Sequence, residues 1–269
     1  MNIIRSAQAP LLWDALKIRI LEHGLAQLHQ DWNQSHARPP YSRLYYILEG
    51  EGFVRAGNTE IPLVPGNCYL LPCGMSLSYR CPSEMTQLYF HISARTTDGY
   101  DLFSRCEGIL QMPARQAPSQ MGQNYLSKEY LPLALLQRQI ESDLCFLIAQ
   151  AGLENHLLNP RSPFLESVFM TVRKNMRSSL SIPEIAAILS LSESTLTKRF
   201  RKEYGMPLGR YMDEMLYQQI CHLLASTDLS IGQIADDLGF CDQFYLTRFF
   251  TARQGISPRQ YRQALPKHP

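Results

Sequence analysis

One pattern occurs twice in the C-terminal part of the chain, and this repeat constrains the fold more than any other feature. The first copy covers residues 181–211 and the second covers residues 230–261. At an offset of 49, the matching pairs are Ser181 and Ser230, Ile182 and Ile231, Ile185 and Ile234, Ala186 and Ala235, and Leu189 and Leu238. At an offset of 50, they are Leu196 and Leu246, Thr197 and Thr247, Phe200 and Phe250, Gly205 and Gly255, and Tyr211 and Tyr261. A period near 50 residues indicates one supersecondary unit built twice.

Each copy has the pattern of two short helices joined by a turn. Ser181 and Ser230 can cap the first helix, and Ser192 and Asp242 can cap the second. Apolar residues then recur four apart in the second helix, so that one of its faces must be buried. We therefore predict helix-turn-helix motifs at about 181–204 and about 230–254.

The other face of each second helix carries small polar groups, amides and cations, which suit base edges and phosphates in a major groove. A single helix of this kind could equally be a solvated surface, but two copies with similar outward chemistry favour DNA binding. The predicted DNA-binding residues are Ser194, Thr195, Thr197, Lys198, Arg201, Gln243, Phe244, Tyr245, Thr247 and Arg248. Among these, we expect base-edge contacts from Thr197, Lys198, Gln243 and Arg248, and contacts to thymine methyls or sugars from Ser194, Phe244 and Tyr245. Arg201, Lys202 and Arg253 are expected to bind phosphates.

A helix over residues 209–227 is predicted between the two motifs. It would be roughly 27 Å long. Such a rod could hold two recognition helices about one DNA turn apart, which is roughly 34 Å.

This region resembles the DNA-binding domain of the AraC/XylS family of bacterial transcription regulators over about 100 residues. The resemblance is carried by Asp228–Ile231, Ile234–Ala235, Leu238–Phe240, Phe249–Phe250, Gly255, Ser257–Pro258 and Tyr261–Arg262. In the connecting helix, Leu216 and Ile220 replace the Arg and Ala that the family usually has. The resemblance implies an all-α domain at 160–269 with two helix-turn-helix motifs, and commonly activation through RNA polymerase.

Charge and cysteine content agree with a DNA-binding protein in a reducing compartment. Residues 160–269 carry 14 Lys and Arg against 10 Asp and Glu, a net charge of +4, whereas residues 1–159 have a net charge of −2. The 7 cysteines are odd in number and form no CxxC motif, which argues against a disulfide framework or a zinc module. No apolar run is long enough for a membrane span. We expect a cytoplasmic location.

Short β-prone runs and Gly/Pro turns alternate over residues 36–95, which predicts a small barrel or jelly roll. Residues 44–74 also resemble the cupin-like sensor domain of many AraC-type regulators. We expect an effector-binding domain with an N-terminal arm at 1–121, a helical dimerisation or linker segment at 122–158, and a proline-containing linker at 159–163. Residues 16–20 are compatible with strand or helix. The expected fold class is thus α+β multidomain.

Many cupins are metal enzymes, but the metal-binding pattern is missing here. His36 is followed by Ala37 and Arg38 instead of a second His at +2, and Leu77 stands where a later His ligand is expected. His91 alone cannot supply the three or four ligands of a metal site. We therefore expect no catalytic residues, no metal and no cofactor.

An apolar and aromatic interior with a few polar groups would suit a small-molecule effector. Alternation along one strand places Met85, Gln87, Tyr89 and His91 on a common face. By family resemblance, Arg38 is a candidate for binding a sugar-like ligand, and Tyr46 can join the lining. Met85, Tyr89 and Tyr46 could instead be core residues. An aromatic, arginine-bearing pocket would suit a sugar, a fatty acid or an aromatic acid.

A stripe of apolar residues at helical spacing follows the β-rich region, and it can serve a core, a dimer interface or both. It consists of Leu133, Leu136, Ile140, Leu144 and Leu147. The sequence thus favours an effector-controlled transcription regulator, with activation expected, that binds double-stranded DNA as a homodimer and contacts RNA polymerase. The alternatives are a metal-dependent cupin enzyme fused to a DNA-binding module, and a regulator whose barrel senses nothing.

Overall fold

The computed structural model describes residues 16–39, 41–96, 98–154, 157 and 162–264. The chain divides into two compact units, Met1–Asn159 and Pro160–Pro269. Residues 1–15, where the predicted N-terminal arm begins, and residues 159–161 of the predicted linker at 159–163 lie outside the described residues. The predicted segment 122–158 belongs to the first unit.

Antiparallel strands make up most of the first unit. They are β1 (Leu16–His29), β2 (Asn33–Ala37), β3 (Ser42–Gly50), β4 (Gly52–Ala56), β5 (Thr59–Leu63), β6 (Asn67–Leu71), β7 (Leu77–Arg80), β8 (Glu84–Thr96) and β9 (Leu110–Pro113). Within the described residues, one sheet has the order β1-β8-β3-β6-β9 and the other has the order β2-β7-β4-β5. Residues 16–20, whose pattern left strand or helix open, belong to β1, which pairs with β8 along its length.

The two sheets enclose an inner core, but the described strands do not close into a barrel. Inward residues of both sheets form this core, among them Tyr45, Tyr69, Val54, Tyr79 and Met85. Each sheet keeps two edge strands, so the arrangement is an open roll of two sheets, and the alternative of a closed barrel was wrong. The pattern of short strands could not predict closure, because closure depends on which distant strands pair.

Two helices cover the outer face of the five-stranded sheet. Helix α1 is Pro118–Ser127 and helix α2 is Tyr130–Gln150. Helix α1 thus begins before the predicted segment boundary at 122. Leu136, Ile140, Leu144 and Leu147 are buried with the outward side chains of β3 and β8 in one core. These four leucine and isoleucine side chains are therefore core residues, whereas Leu133 is exposed.

Helices alone form the described part of the second unit. They are α3 (Pro163–Lys174), α4 (Ile182–Ile188), α5 (Glu193–Tyr204), α6 (Leu208–Ser226), α7 (Ile231–Asp237), α8 (Gln243–Gln254) and α9 (Pro258–Ala264). Helix α6 confirms the connecting helix predicted at 209–227. Leu216 and Ile220, the two departures from the family pattern, are buried in the core around the second motif. Aromatic rings of Phe169, Phe200, Tyr204 and Tyr211 pack together under the first motif.

Candidate nucleic-acid interface and sensor site

Helices α4 and α5 form the first helix-turn-helix, and each has the cap that its sequence predicts. The Ser181 hydroxyl accepts a hydrogen bond from the backbone N–H of Glu184, whose carboxylate in turn accepts one from the Ser181 N–H. Ser192 caps α5 by accepting a hydrogen bond from the backbone N–H of Thr195. These bonds satisfy N–H groups that a helix start leaves free. The caps fix where α5 begins and therefore which side chains face outward.

Helices α7 and α8 repeat this construction. Ser230 and Gln233 form a second capping box at the start of α7. Asp242 caps α8 by accepting a hydrogen bond of 2.6 Å from the Tyr245 N–H. Leu246 and Phe250 are fully buried beneath α8, as Leu196 and Phe200 are beneath α5. The two motifs are thus built alike in backbone, caps and core.

The structure places the predicted DNA-binding residues on the outer faces of α5 and α8. Eight of the ten are exposed, namely Ser194, Thr195, Lys198, Arg201, Gln243, Phe244, Tyr245 and Arg248. Thr197 and Thr247 are partly buried, and their hydroxyls donate to the carbonyls of Glu193 and Gln243 one turn earlier. Because these protons are engaged in the helix, each hydroxyl is left mainly as an acceptor.

Among the predicted phosphate-binding cations, Arg253 has a different environment from the other two. Its guanidinium lies 2.7 Å from the carboxylate of Asp213 and 3.7 Å from the centre of the Phe249 ring. The ion pair of Arg253 therefore links α8 to α6. The spacing pattern of the second motif could not predict this contact. Arg201 and Lys202 are exposed on the last turn of α5.

The segment between α3 and α4 joins the two motifs independently of α6. The Ser178 N–H donates to the Leu238 carbonyl over 2.7 Å, and the Ser178 hydroxyl donates to the Gly239 carbonyl. Arg177 packs against the same turn, since a Cβ on Gly239 would lie 3.3 Å from the Arg177 Cβ. We call residues 175–180 the strap. It ties the turn of the second motif to the first helix of the first motif, because Arg177 also pairs with Glu184.

In the first unit, strand β8 carries the predicted effector-binding residues Met85, Gln87, Tyr89 and His91. Met85 and Tyr89 pack in the core between the two sheets. Gln87 is buried, and its side-chain oxygen Oε1 has no hydrogen-bond partner among the described residues. Alternation therefore places these side chains on the inner face of the strand.

Tyr46 and Arg38 do not join that face. Tyr46 lies on the opposite face of the five-stranded sheet, under α2, and its hydroxyl donates to Asp143 over 2.8 Å. Its expected role in the lining was wrong, because Tyr45 and not Tyr46 points inward from β3. Arg38 is exposed just after β2.

His91 belongs to a polar cluster at one end of the inner face. Its Nδ1 lies 2.7 Å from the carboxylate of Glu22, which also accepts the Tyr89 hydroxyl over 3.0 Å. The His91 ring stacks on Tyr41, with 4.5 Å between ring centres. Burial, together with the Arg43 guanidinium, lowers the pKa of His91 to about 3, so the neutral imidazole donates to Glu22.

Arg43 was missed by sequence reasoning, although it faces the same space. It pairs with His91 across β3 and β8, and its Nη1 donates to the Tyr79 hydroxyl. Its guanidinium carbon lies 4.9 Å from the centre of the Tyr79 ring and 5.7 Å from that of Tyr41. The signal was available, because Arg43 precedes inward-facing Tyr45 by two residues.

The described residues contain no group of three or more His, Cys, Asp and Glu side chains that could hold a metal ion. Among their helices, none has both the length and the apolar character that crossing a membrane requires.

Comparison with known proteins connects this architecture to gene regulation. Residues 185–264 match the family described as "Helix-turn-helix domain". The chain is 25% identical over 235 residues to the Msm operon regulatory protein of Streptococcus mutans, covering 82% of this chain and 84% of the relative. It is 23% identical over 248 residues to the MmsAB operon regulatory protein of Pseudomonas aeruginosa, covering 87% of this chain and 79% of that protein.

The fold extends the similarity over both units. A crystal structure of ToxT from Vibrio cholerae matches with a TM-score of 0.55 at 13% identity, covering 93% of this chain and 97% of ToxT. The tandem motifs, their exposed second helices and the regulatory relatives all lead to one assignment. The second unit contains an AraC-type helix-turn-helix domain, and the chain is similar over most of its length to bacterial operon regulatory proteins.

Proposed function

We propose that both helix-turn-helix motifs read DNA, with α5 and α8 in successive segments of the major groove. The observation that carries this proposal is the exposure of Lys198 and Arg248 at equivalent positions of two helices with the same caps and core. An exposed cation at the same turn of each second helix can reach a guanine edge, which offers two acceptors in the major groove.

The remaining contacts follow from the exposed positions. Gln243 suits an adenine edge, and the methyl groups of Thr197 and Thr247 suit apolar contacts with thymine. Ser194, Phe244 and Tyr245 lie on the first turn and can reach thymine methyls or sugars. Thr195 shares that turn. Arg201 and Lys202 are positioned for phosphates, and such contacts set affinity more than sequence preference.

Selection of bound sequences from a random duplex pool tests this assignment. The full-length chain at near-physiological salt should recover two conserved blocks about one helical turn, roughly 34 Å, apart. A single block would show that only one motif reads bases. If nothing is enriched, repeating the selection with residues 160–269 separates a requirement for an effector from a lack of specificity.

We infer that the first unit, residues 1–121 with the helices of 122–158, senses a small molecule and controls the second unit, 160–269. Its inner face carries Glu22, Arg43, Tyr89 and His91 beside an apolar core, which is the composition of a ligand site. A relative by fold, ToxT, has been crystallised with an unsaturated fatty acid bound. Binding would regulate by favouring one of two arrangements of the protein.

The rest of the proposal concerns partners and compartment. The chain acts in the cytoplasm as a homodimer, activates transcription through RNA polymerase, and is not an enzyme. One relative supports activation: the transcriptional activator RhaR of Escherichia coli is 26% identical over 155 residues, covering 55% of this chain and 53% of RhaR. Reporter expression from the selected operator should rise with the protein present, and a fall would make it a repressor.

A further inference from the structure

Arg43 is a partly buried cation whose close partners are neutral. The Tyr79 hydroxyl accepts from its Nη1, and the rings of Tyr41 and Tyr79 lie beside the guanidinium. Burial raises the pKa of both Tyr45 and Tyr79, so their hydroxyls remain protonated and supply no negative charge. Within the described residues, no carboxylate is within ion-pair distance of Arg43.

One donor of Arg43, its Nε, is buried without a hydrogen-bond acceptor among the described residues. A guanidinium binds a carboxylate side-on through Nε and one terminal nitrogen, in two parallel hydrogen bonds. A buried donor without an acceptor is unfavourable, so an incoming carboxylate would relieve an existing penalty.

The one carboxylate of this cluster is already engaged elsewhere. Glu22 accepts hydrogen bonds from Tyr89 and His91, and His91 separates it from Arg43 along the cluster. Among the described residues, the cluster therefore contains one cation and one anion, and the anion already accepts two hydrogen bonds within the cluster. One added carboxylate would therefore give Arg43 the anionic partner that it lacks among the described residues.

We propose that Arg43 binds the carboxylate of a small organic acid, and that this acid is the effector class of the first unit. The proposal rests on the sensing role proposed above and specifies its chemistry. Tyr41, Tyr45, Tyr79 and Tyr89 offer ring faces and edges to the body of the acid, which suits an aromatic or short aliphatic group. A sugar has no charge to satisfy Arg43.

Matched pairs of acids and amides test the charge requirement. The full-length protein is titrated with benzoate, 4-hydroxybenzoate and hexanoate, each against its neutral amide, by calorimetry and thermal unfolding. At least one acid should bind and raise the melting temperature, because a ligand of the native state stabilises it. Its amide should bind at least tenfold more weakly. If no acid binds, or if acid and amide bind alike, the proposal is wrong.

Variants identify the residue responsible. Arg43→Gln should weaken binding of the acid at least tenfold and remove its preference over the amide, whereas Arg55→Gln should leave both unchanged. Arg55 is the matched control because it is an exposed arginine of the same unit, paired with Glu60 on the other sheet. If Arg43→Gln does not fold, Arg43→Lys keeps the charge and should retain the preference for the acid. Unaltered acid binding by Arg43→Gln overturns the proposal.

DNA binding distinguishes this proposal from the sensing role on which it rests. If an acid binds through Arg43 but leaves operator binding unchanged, the site is supported and the sensing role fails. If only uncharged compounds change operator binding, the sensing role is supported and the acid site is overturned.

Discussion

Lys198 and Arg248 are equivalent residues of the two motifs, but their surroundings differ. The Arg248 guanidinium lies 5.7 Å from the centre of the Tyr245 ring, three residues earlier on the same helix. The residue equivalent to Tyr245 in the first motif is Thr195, whose hydroxyl is hydrogen-bonded to that of Ser192. An aromatic ring restricts the orientations of a neighbouring guanidinium. We therefore expect Arg248 to discriminate between bases more strongly than Lys198 does.

Replacing Arg248 with Ala should therefore weaken binding to the selected operator by about 1–3 kcal/mol and relax base preference at one position. Titration of operator and random duplexes measures both effects. Arg173→Ala is the control, because Arg173 is an exposed arginine on α3 of the same unit. Unchanged discrimination in Arg248→Ala would remove Arg248 from the base-reading set.

Lys202→Ala should act differently, because a phosphate contact carries no sequence information. We expect affinity to fall equally for operator and random DNA, and the slope of log affinity against log salt to decrease by about 1. Titrations at several salt concentrations measure the slope. A loss confined to the operator would instead assign Lys202 to base recognition.

Individual residues show where sequence reasoning succeeds and where it stops. Ser192 and Asp242 cap their helices as predicted, because a cap depends on residues only three positions apart. Arg253 was expected on phosphate but pairs with Asp213, forty positions away in sequence. Tyr46 was assigned to the wrong face of its strand, since the β-prone run of residues 44–48 shows no alternation that would mark the inner side.

Helix α2 is an element whose two long sides differ in composition. One side packs on the sheet through Leu136 and Ile140, and the other exposes Leu131 and Leu135 at 64% and 56% of their areas. Those two leucines are one turn apart, and Tyr130 beside them is 87% exposed. The apolar stripe that could have served a core or a dimer interface therefore lies on the core side of α2. The opposite side is the better candidate for contact with a second copy.

Replacing both Leu131 and Leu135 with Glu should convert a dimer into a monomer without unfolding the chain, because neither side chain contributes to the core. Sedimentation velocity measures the oligomeric state, and circular dichroism checks the helix content. Arg138→Glu, on an exposed position of the same helix, controls for added negative charge. A dimer that survives the double substitution would place the interface elsewhere.

In the molecule as a whole, each of the two units is built from two distinct parts. The first unit separates an outer core under α1 and α2 from an inner core between the sheets, which holds the polar cluster. The second unit holds two motifs together through α6 and the strap. The repeat in the sequence predicted α6 but not the strap, because Ser178 lies outside both copies. Its partners are backbone carbonyls, which every residue type has, so the sequence cannot indicate these bonds.

Ser178→Ala should loosen the second motif relative to the first. It removes the hydroxyl bond to Gly239, worth about 1 kcal/mol, while the Ser178 N–H can still bond Leu238. We expect little change in melting temperature but weaker binding to the selected operator, and a smaller penalty when one base pair is inserted between its two blocks. Ser167→Ala is the control, because its hydroxyl bonds only within α3. An unchanged insertion penalty would show that α6 alone fixes the geometry.

The strap also bears on how binding sites for this protein can evolve. Each base pair advances the duplex by roughly 34° of rotation, since about 10.5 base pairs make one turn. Helix α6 and the strap both hold the second motif in place relative to the first. An inserted or deleted base pair therefore rotates one block of the operator away from the recognition helix that contacts it. Functional sites should therefore drift by substitution within the blocks, while the length between them stays constant across every promoter that the protein controls.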